Sequence, residues 1–165
     1  MNVLVLFTYK VSISDWHKSG ILEREFELYK KLSKETDINY SFITYGDADD
    51  LNYNLENFNI HPLYSKIKYK KSSFIQFFNS LRILNLFKLE IKDCSLIKTN
   101  QLNGAWVGIL AKLLFKKKLM VRTGYDILYF AKMQNKSQLK LLFFSLLTKF
   151  SLVFADYYIV SSNAD

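Results

Sequence analysis

The segment from Leu96 to Asp126 constrains the fold more than any other part of the chain. Within about thirty residues its pattern predicts a strand, a polar turn, an amphipathic helix, a second strand and a second polar turn. The two strands are predicted at Leu96–Lys98 and Leu119–Thr123. This order is that of a βαβ unit, in which a helix crosses between two parallel strands.

The helix between these strands has apolar residues at spacings of three and four, which predicts one broad face packed against the sheet. The lysines at Lys116–Lys118 come where positive charge suits the negative end of the helix dipole. The residues predicted to face the sheet are Trp106, Ile109, Leu110, Leu113 and Leu114.

A polar cluster follows each strand of this unit, Thr99–Gln101 after the first and Arg122–Asp126 after the second. In open parallel sheets, ligands bind outside the carboxyl ends of the strands, so we expect both clusters to face one crevice. For Asn100 and Gln101, contact with a ligand and capping of the following helix are equal alternatives.

Strands and helices alternate along the rest of the chain, which predicts an α/β fold with a Rossmann-like doubly wound parallel sheet in one domain, residues 1–165. Further strands are predicted at Asn2–Thr8, Asn39–Tyr45, Phe58–Leu63 and Tyr157–Val160. The third of these carries His61 beside Pro62, which suits an edge strand and a structural histidine.

Between the strands, a long polar loop is predicted at Tyr9–Ser19, with Ser19 and Gly20 opening a helix whose inward face includes Leu22, Phe26, Leu28 and Tyr29. One apolar helix is predicted from Phe74 to about Ile91, and Ser137 is predicted to cap a helix that runs to Phe154. Because Leu139–Val160 contains three charged residues, it predicts a buried helix and a strand rather than a membrane span.

The net charge of +8 is unevenly distributed. Residues 1–60 hold six Lys+Arg and ten Asp+Glu, whereas residues 61–165 hold seventeen and five, a net charge of +12. This bias suits an anionic membrane surface, a phosphorylated ligand or nucleic acid, but nucleic acid is disfavoured because only three of the cations are arginine. The predicted membrane surface is a basic loop for which plain solvation is an equal alternative: Lys66, Lys68, Lys70 and Lys71.

Several classes of protein are disfavoured by the motifs that the sequence lacks. There is no glycine-rich dinucleotide or P-loop motif. The aspartates Asp47, Asp49 and Asp50 lack the pattern of a calcium loop, which favours a solvated acidic loop, so no cofactor and no metal are expected. The single cysteine, Cys94, and the absence of a leader pattern at Met1 favour a cytoplasmic location, with peripheral contact at the inner face of the membrane as an option.

The segments KTNQLNGAWVGILAKLLFKKKLMVRTGYD and ADYYIVSSNAD resemble the amino-terminal domain of family 4 retaining glycosyltransferases of the GT-B fold. That resemblance implies an acceptor-side domain, a nucleotide-sugar donor and a glycan or lipid-linked acceptor. It also implies a second, donor-binding domain that supplies a pair of glutamates, without which this chain is expected to be inactive. Ser161–Asn163 are typical of a helix start, which predicts that the domain is truncated.

The resemblance also carries roles to particular residues. His17, Ser19 and Gly20 match a loop that approaches the donor phosphates, although one glycine stands where relatives often have two. Tyr125 replaces the histidine of a His-Asp pair, so Asp126 is the candidate catalytic residue. The remaining candidate contacts with acceptor or donor phosphate are Asn100, Gln101, Arg122 and Gly124, with pairing to Asp126 as the alternative role of Arg122. The competing hypothesis is a non-enzymatic α/β module that binds an anionic membrane surface, or less plausibly nucleic acid.

Overall fold

A computed structural model describes residues 1–53, 55, 58–124 and 127–160 of the protein. Its strands are β1 (Asn2–Leu6), β2 (Asn39–Thr44), β3 (Asn59–Pro62), β4 (Leu96–Thr99), β5 (Lys118–Thr123) and β6 (Tyr157–Val160). They form one parallel sheet in the order β3-β2-β1-β4-β5-β6. This confirms the predicted Rossmann-like doubly wound sheet, with the strand order reversing between β1 and β4. The strand that carries His61 lies at one edge, as predicted.

The helices in the described part of the chain are α1 (Ile13–Lys18), α2 (Leu22–Glu35), α3 (Leu63–Lys66), α4 (Ser73–Leu86), α5 (Lys88–Asp93), α6 (Ala105–Phe115), α7 (Ile127–Met133) and α8 (Gln138–Phe154). A short 3-10 helix spans Ala48–Asn52. Helix α2 packs on one face of the sheet, and α6, flanked by α4 and α8, packs on the other.

An aromatic cluster holds α2 against the sheet. The rings of Phe26 and Tyr29 each lie 5.0 Å from the ring of Phe42 on β2. All three side chains are almost fully buried, and burial of such side chains stabilises the fold by about 1.5–3 kcal/mol each. Of the inward face predicted for this helix, Leu22, Phe26 and Tyr29 are buried, but Leu28 is 49% exposed, so that part of the prediction was wrong.

Helix α6 meets the sheet largely through its small residues. Of the face predicted from its large apolar residues, Ile109 is buried as predicted, but the two leucines at its end were placed wrongly. Leu113 and Leu114 are 53% and 65% exposed, whereas Ala105, Gly108 and Ala111 are buried. A Cβ atom at Gly108 would lie 2.9 Å from Leu119 Cδ1, so the helix packs too closely on the sheet for a larger residue there. Close packing of the backbone therefore outweighed the burial of leucine side chains.

The polar loop predicted at Tyr9–Ser19 contains a helix instead, α1. A capping box opens it: the Asp15 amide donates to Ser12 Oγ (3.0 Å), and the Ser12 amide donates to Asp15 Oδ2 (2.8 Å). Its apolar residues Ile13 and Trp16 are buried. Ser19 ends α1 rather than opening the next helix, and α2 begins at Leu22.

Three other predictions for helices need correction. The helix expected from Phe74 to about Ile91 is two helices, α4 and α5, which are separated at Phe87. Helix α7 was missed. Helix α8 begins after Ser137 as predicted, but it is largely exposed, with only Leu147 and Ser151 buried. No helix in the described residues is both long and apolar enough to cross a membrane. The residues Ser161–Asn163 lie outside the described part.

Candidate functional site

Asn100 follows the carboxyl end of β4, beside the end of β1, where the strand order reverses. Its backbone amide donates to the carbonyl of Leu6 (2.8 Å), and its side-chain Nδ2 donates to Thr8 Oγ1 (3.4 Å). The side chain is 5% exposed, and its Oδ1 atom has no hydrogen-bond partner. A buried carbonyl oxygen without a partner costs about 1–3 kcal/mol, which a ligand that donates a hydrogen bond would recover.

Gln101 links the end of β4 to the loop that follows β5. Its Oε1 atom accepts a hydrogen bond from the backbone amide of Gly124 (2.7 Å). The same closeness restricts Gly124, because a Cβ atom there would lie 2.7 Å from Gln101 Nε2. The described parts of the two predicted polar clusters therefore lie together. Tyr125 and Asp126 lie outside the described residues.

Capping of the following helix, the other role weighed for Asn100 and Gln101, is not what the structure shows. The residue before α6 is Gly104, and no side chain caps that helix. Gly104 has a φ of +109°, and a Cβ atom there would lie 3.1 Å from the backbone nitrogen of Tyr9. Glycine is thus required where the loops after β1 and β4 come together.

Arg122 belongs to a small charged group on the α2 side of the sheet. Its guanidinium lies 3.4 Å from Glu25 Oε2 in the first turn of α2, and both side chains are mostly buried. Close by, Lys98 Nζ donates to the Tyr29 hydroxyl (2.8 Å). Burial and the positive charge of Arg122 lower the pKa of Lys98 to about 8, and burial raises the pKa of Tyr29. Sequence reasoning found Arg122 but missed Lys98, Tyr29 and Glu25.

In the loop predicted to approach the donor phosphates, Ser19 has a structural role. The Ser19 hydroxyl donates to the carbonyls of Asp15 (2.8 Å) and Trp16 (3.1 Å), where it caps the carboxyl end of α1. Gly20 has a φ of +70° with open space around it, and the exposed His17 ring lies 5.3 Å from the ring of Tyr53. Gly20 leads into α2, so it lies at the same edge of the sheet as Asn100 and Gly124. The roles of His17, Ser19 and Gly20 stay predictions.

Asp50 occupies the position where an anion would meet the start of α1. Its carboxylate accepts from the amides of Ile13 (3.1 Å) and Ser14 (3.2 Å) and from Thr44 Oγ1 (2.6 Å). Asp50 is 1% exposed, so its assignment to a solvated acidic loop was wrong. A Cβ atom at Gly46 would lie 2.0 Å from Asp50 Oδ2, so the Gly46 that follows β2 makes room for this carboxylate.

The four lysines of the predicted membrane surface do not act as one group. Lys66 Nζ donates to the carbonyl of Leu86 (3.2 Å) and lies 4.4 Å from the ring of Phe87, at the far end of α4. Lys68, Lys70 and Lys71 are exposed in the loop before α4. The amino-terminal end of that helix continues the same surface with exposed apolar residues: Phe74, Ile75 and Phe78.

Within the described residues, no group of three or more His, Cys, Asp or Glu side chains is arranged to hold a metal ion. His61 Nδ1 lies 3.7 Å from Glu90 Oε1, and its ring lies 5.9 Å from the ring of Phe87. Burial lowers the pKa of His61, which keeps the ring neutral near pH 7. These contacts are those of a structural histidine.

No protein-family model matches the chain, and the search of curated proteins finds no relative. Among solved structures, the chain is similar to MurG from Acinetobacter baumannii, with 10% identity and a TM-score of 0.48 over 97% of this chain and 45% of that one. It is also similar to VPA0982, a protein of unknown function from Vibrio parahaemolyticus, with 10% identity and a TM-score of 0.46 over 98% of this chain and 93% of that one. The chain thus spans less than half of the MurG chain. At these TM-scores, neither likeness bears on function.

Proposed function

We propose that this chain is the acceptor-side domain of a retaining glycosyltransferase of the GT-B type. In this proposal a second domain binds the nucleotide-sugar donor, and the crevice beyond β1, β4 and β5 holds a glycan or lipid-linked acceptor. The proposal draws on the sequence resemblance, and one observation carries it: Asn100 Oδ1 is buried without a partner at the reversal point of a parallel sheet. A sugar hydroxyl is a donor that would satisfy this oxygen.

The other residues of the proposed site keep the roles that the resemblance implies. Asp126 is the candidate catalytic residue, and Tyr125 is a hydrogen-bonding neighbour. Arg122, on β5, would supply positive charge beside the first turn of α2, where Glu25 pairs with it. The Asp50 carboxylate already accepts hydrogen bonds from the backbone amides at the start of α1. A donor phosphate would therefore have to approach at Gly20 instead.

Sugar binding by the isolated chain tests the proposal. Saturation-transfer NMR with a panel of neutral and acidic oligosaccharides should detect a binder, and Asn100→Ala should weaken it roughly 3- to 10-fold, the value of one hydrogen bond. Asn39→Ala is the matched control, because Asn39 is exposed at the amino end of β2, and Asn100 lies at the carboxyl ends of the strands. No binder in the panel, or equal binding by both variants, would contradict the proposal. Nucleotide sugars alone should give no turnover.

The second candidate is a non-enzymatic module that binds an anionic membrane surface, and the exposed Phe74 beside Lys68, Lys70 and Lys71 favours it. Flotation with phosphatidylcholine vesicles, with and without phosphatidylglycerol, tests this candidate. The membrane module is favoured over the glycosyltransferase if binding needs the anionic lipid and is lost in the Lys68/Lys70/Lys71→Gln variant. The chain should then also bind no sugar. No binding to DNA or RNA is expected.

A further inference from the structure

Two cavities open on either side of Lys10, in the loop that follows β1. One has a volume of about 340 Å³ and is lined by Lys10, Tyr45, Tyr64, Tyr69, Lys71 and Gln76. The other has a volume of about 390 Å³ and lies between Lys10, Trp106 and α8. Of the site residues predicted from the sequence, only Lys71 of the basic loop lines either cavity.

The first cavity has a buried polar floor. Gln76 is 4% exposed, and its Nε2 atom donates to the Tyr69 hydroxyl (3.0 Å) and to the carbonyl of Lys70 (2.8 Å). These bonds fix the basic loop over the cavity. Burial raises the pKa values of Tyr45 and Tyr64, so their hydroxyls stay protonated and able to donate at neutral pH.

The second cavity has a fixed aromatic wall. Trp106 Nε1 donates to Ser80 Oγ (3.0 Å), and Ser80 is fully buried, so the indole has one orientation. The ring of Trp106 lies 5.0 Å from the ring of Tyr9 and 5.7 Å from the ring of Phe143 on α8. Such rings pack against the apolar faces of sugars and lipids.

Three lysines surround the two cavities: Lys10, Lys71 and Lys140. None of them pairs with a carboxylate among the described residues. Lys10 Nζ donates to Ser73 Oγ (3.0 Å), which holds it on the ridge between the cavities. A site with this charge suits an anion with several oxygens, such as a phosphate ester.

An exposed apolar strip begins at the second cavity. Phe143, which lines that cavity, is 39% exposed, and its neighbours on α8 are Leu139 at 78% and Leu142 at 57%. On α4, Phe74 and Phe78 are 73% and 50% exposed, and their rings lie 4.8 Å apart. Apolar surface of this kind beside unpaired lysines fits a ligand with an anionic head and an apolar tail.

The second cavity lies close to Asn100 along the loops that follow β1 and β4. The amide of Tyr9 donates to the carbonyl of Asn103 (2.9 Å), and both residues line the second cavity. One residue before Tyr9, Thr8 accepts the hydrogen bond from Asn100. A ligand bound in the second cavity can therefore extend along these two loops as far as Asn100.

We propose that the acceptor is a sugar joined through phosphate or diphosphate to a lipid. Its phosphate lies among Lys10, Lys71 and Lys140, its sugar reaches the crevice at Asn100, and its lipid follows the exposed strip of α4 and α8. This inference rests on the proposed function, whose acceptor it assigns to the lipid-linked class rather than to free polysaccharide.

The test uses the full chain labelled with 5-fluorotryptophan, because its two tryptophans report on different places: Trp16 in the core and Trp106 in the cavity wall. Dodecyl phosphate, kept below its micelle concentration, should shift the ¹⁹F signal of Trp106 and leave that of Trp16 unchanged. Inorganic phosphate and dodecyl maltoside should each bind at least roughly 10-fold more weakly, because each lacks one half of the recognised chemistry.

The Lys10→Gln/Lys71→Gln variant should weaken dodecyl phosphate binding roughly 10-fold or more, since charge-assisted contacts to the phosphate are lost. Lys34→Gln is the control for charge, because Lys34 lies in the last turn of α2, away from both cavities. Equal affinity of the double variant and the control would overturn the inference, as would an unmoved Trp106 signal.

Two further arms separate this inference from its premises. Asn100→Ala should leave dodecyl phosphate binding unchanged, so loss of sugar binding in that variant tests the proposed function alone. Phosphate-lipid binding without sugar binding would overturn the acceptor assignment. Binding that occurs only to phosphatidylglycerol vesicles, with no shift by monomeric dodecyl phosphate, would assign the lysines to a membrane surface and overturn the cavity site.

Discussion

The two halves of the sheet face that carries α2 differ sharply. Over β1 and β2, the aromatic side chains of α2 pack on Phe42 and Tyr40 and exclude water. Over β4, β5 and β6, α2 reaches this face only at its border, through Tyr29 and Glu25. The residues of this half remain partly exposed: Lys98, Met120, Arg122, Tyr157 and Ile159. The first half therefore supplies stability, and the second holds charge beside the proposed site.

A lysine can lie in the middle of this sheet because the half of the face around it is partly exposed. Lys98 is paired in register with Val5 of the covered half. Its amine donates a hydrogen bond to the Tyr29 hydroxyl at the border of α2. Glu25 offsets the charge of Arg122 but leaves one positive charge in excess in the group. A helix over this half would bury that charge further, at a cost in free energy.

The largest expected effect is a difference in stability between the two halves. Phe42→Ala should lower the free energy of unfolding by about 3–5 kcal/mol, because it leaves a cavity under α2. Tyr157→Ala, on the partly exposed half, should lower the free energy of unfolding by under ~1 kcal/mol, because Tyr157 is already 49% exposed. Urea unfolding of both variants measures the two costs. Similar costs would mean that both halves are equally packed.

The pH dependence of stability should reveal Lys98. Its pKa is lowered from 10.5 to about 8, so between these values the unfolded chain binds a proton that the folded chain has released. Stability from this group therefore rises as the pH increases above ~8. Lys98→Met should remove that rise and raise the free energy of unfolding at pH 7 by about 1–2 kcal/mol. Urea titrations from pH 7 to ~9.5 stay below the ionisation of tyrosine. An identical slope in both proteins would contradict the pKa shift.

A smaller effect is expected where the two halves meet. Glu25→Gln leaves Arg122 and Lys98 without a compensating charge, and should cost about 1–2 kcal/mol while lowering the pKa of Lys98 further. The matched control is Glu23→Gln. Glu23 lies two residues earlier in the first turn of α2, on its exposed side, so its replacement should change the free energy of unfolding by under ~0.5 kcal/mol. Thermal denaturation at pH 7 compares the two. A larger loss in the control would place the important carboxylate elsewhere.

The smallest effect should come from the outer strand. Ile159→Ser, at a position 40% exposed on β6, should change the free energy of unfolding by under ~1 kcal/mol. The measurement is urea unfolding of the full chain. A loss of several kcal/mol would show that this half of the sheet is covered in solution.

Most of the strands could be predicted from the sequence, because each is a short apolar run between polar or glycine residues. β6 has the predicted bounds, Tyr157–Val160, and β5 begins one residue before its prediction. The meeting of Gln101 with Gly124 also followed from a general property of parallel sheets. The signal for α1 was present in Ser12 and Asp15, a capping-box pair followed by Trp16, but the surrounding polar residues hid it.

The partners within the site could not be predicted, because they are far apart along the chain. Arg122 and Glu25 are separated by 97 positions, and Lys98 and Tyr29 by 69. Nothing in the local pattern of Asp50 distinguishes it from its solvated neighbours, since its partners, Ile13 and Ser14, lie at the start of another helix.

The alternation of strands and helices, the parallel sheet and the polar ends of β4 and β5 can be predicted from the sequence, because these features depend on residues that are close along the chain. Three features came from the packing of the folded chain: the face of α6 that meets the sheet, the half of the sheet that stays partly exposed, and the exposure of α8 beside the cavities at Lys10. Those features depend on how closely elements pack, and packing is set by the shapes of surfaces that the fold alone brings together.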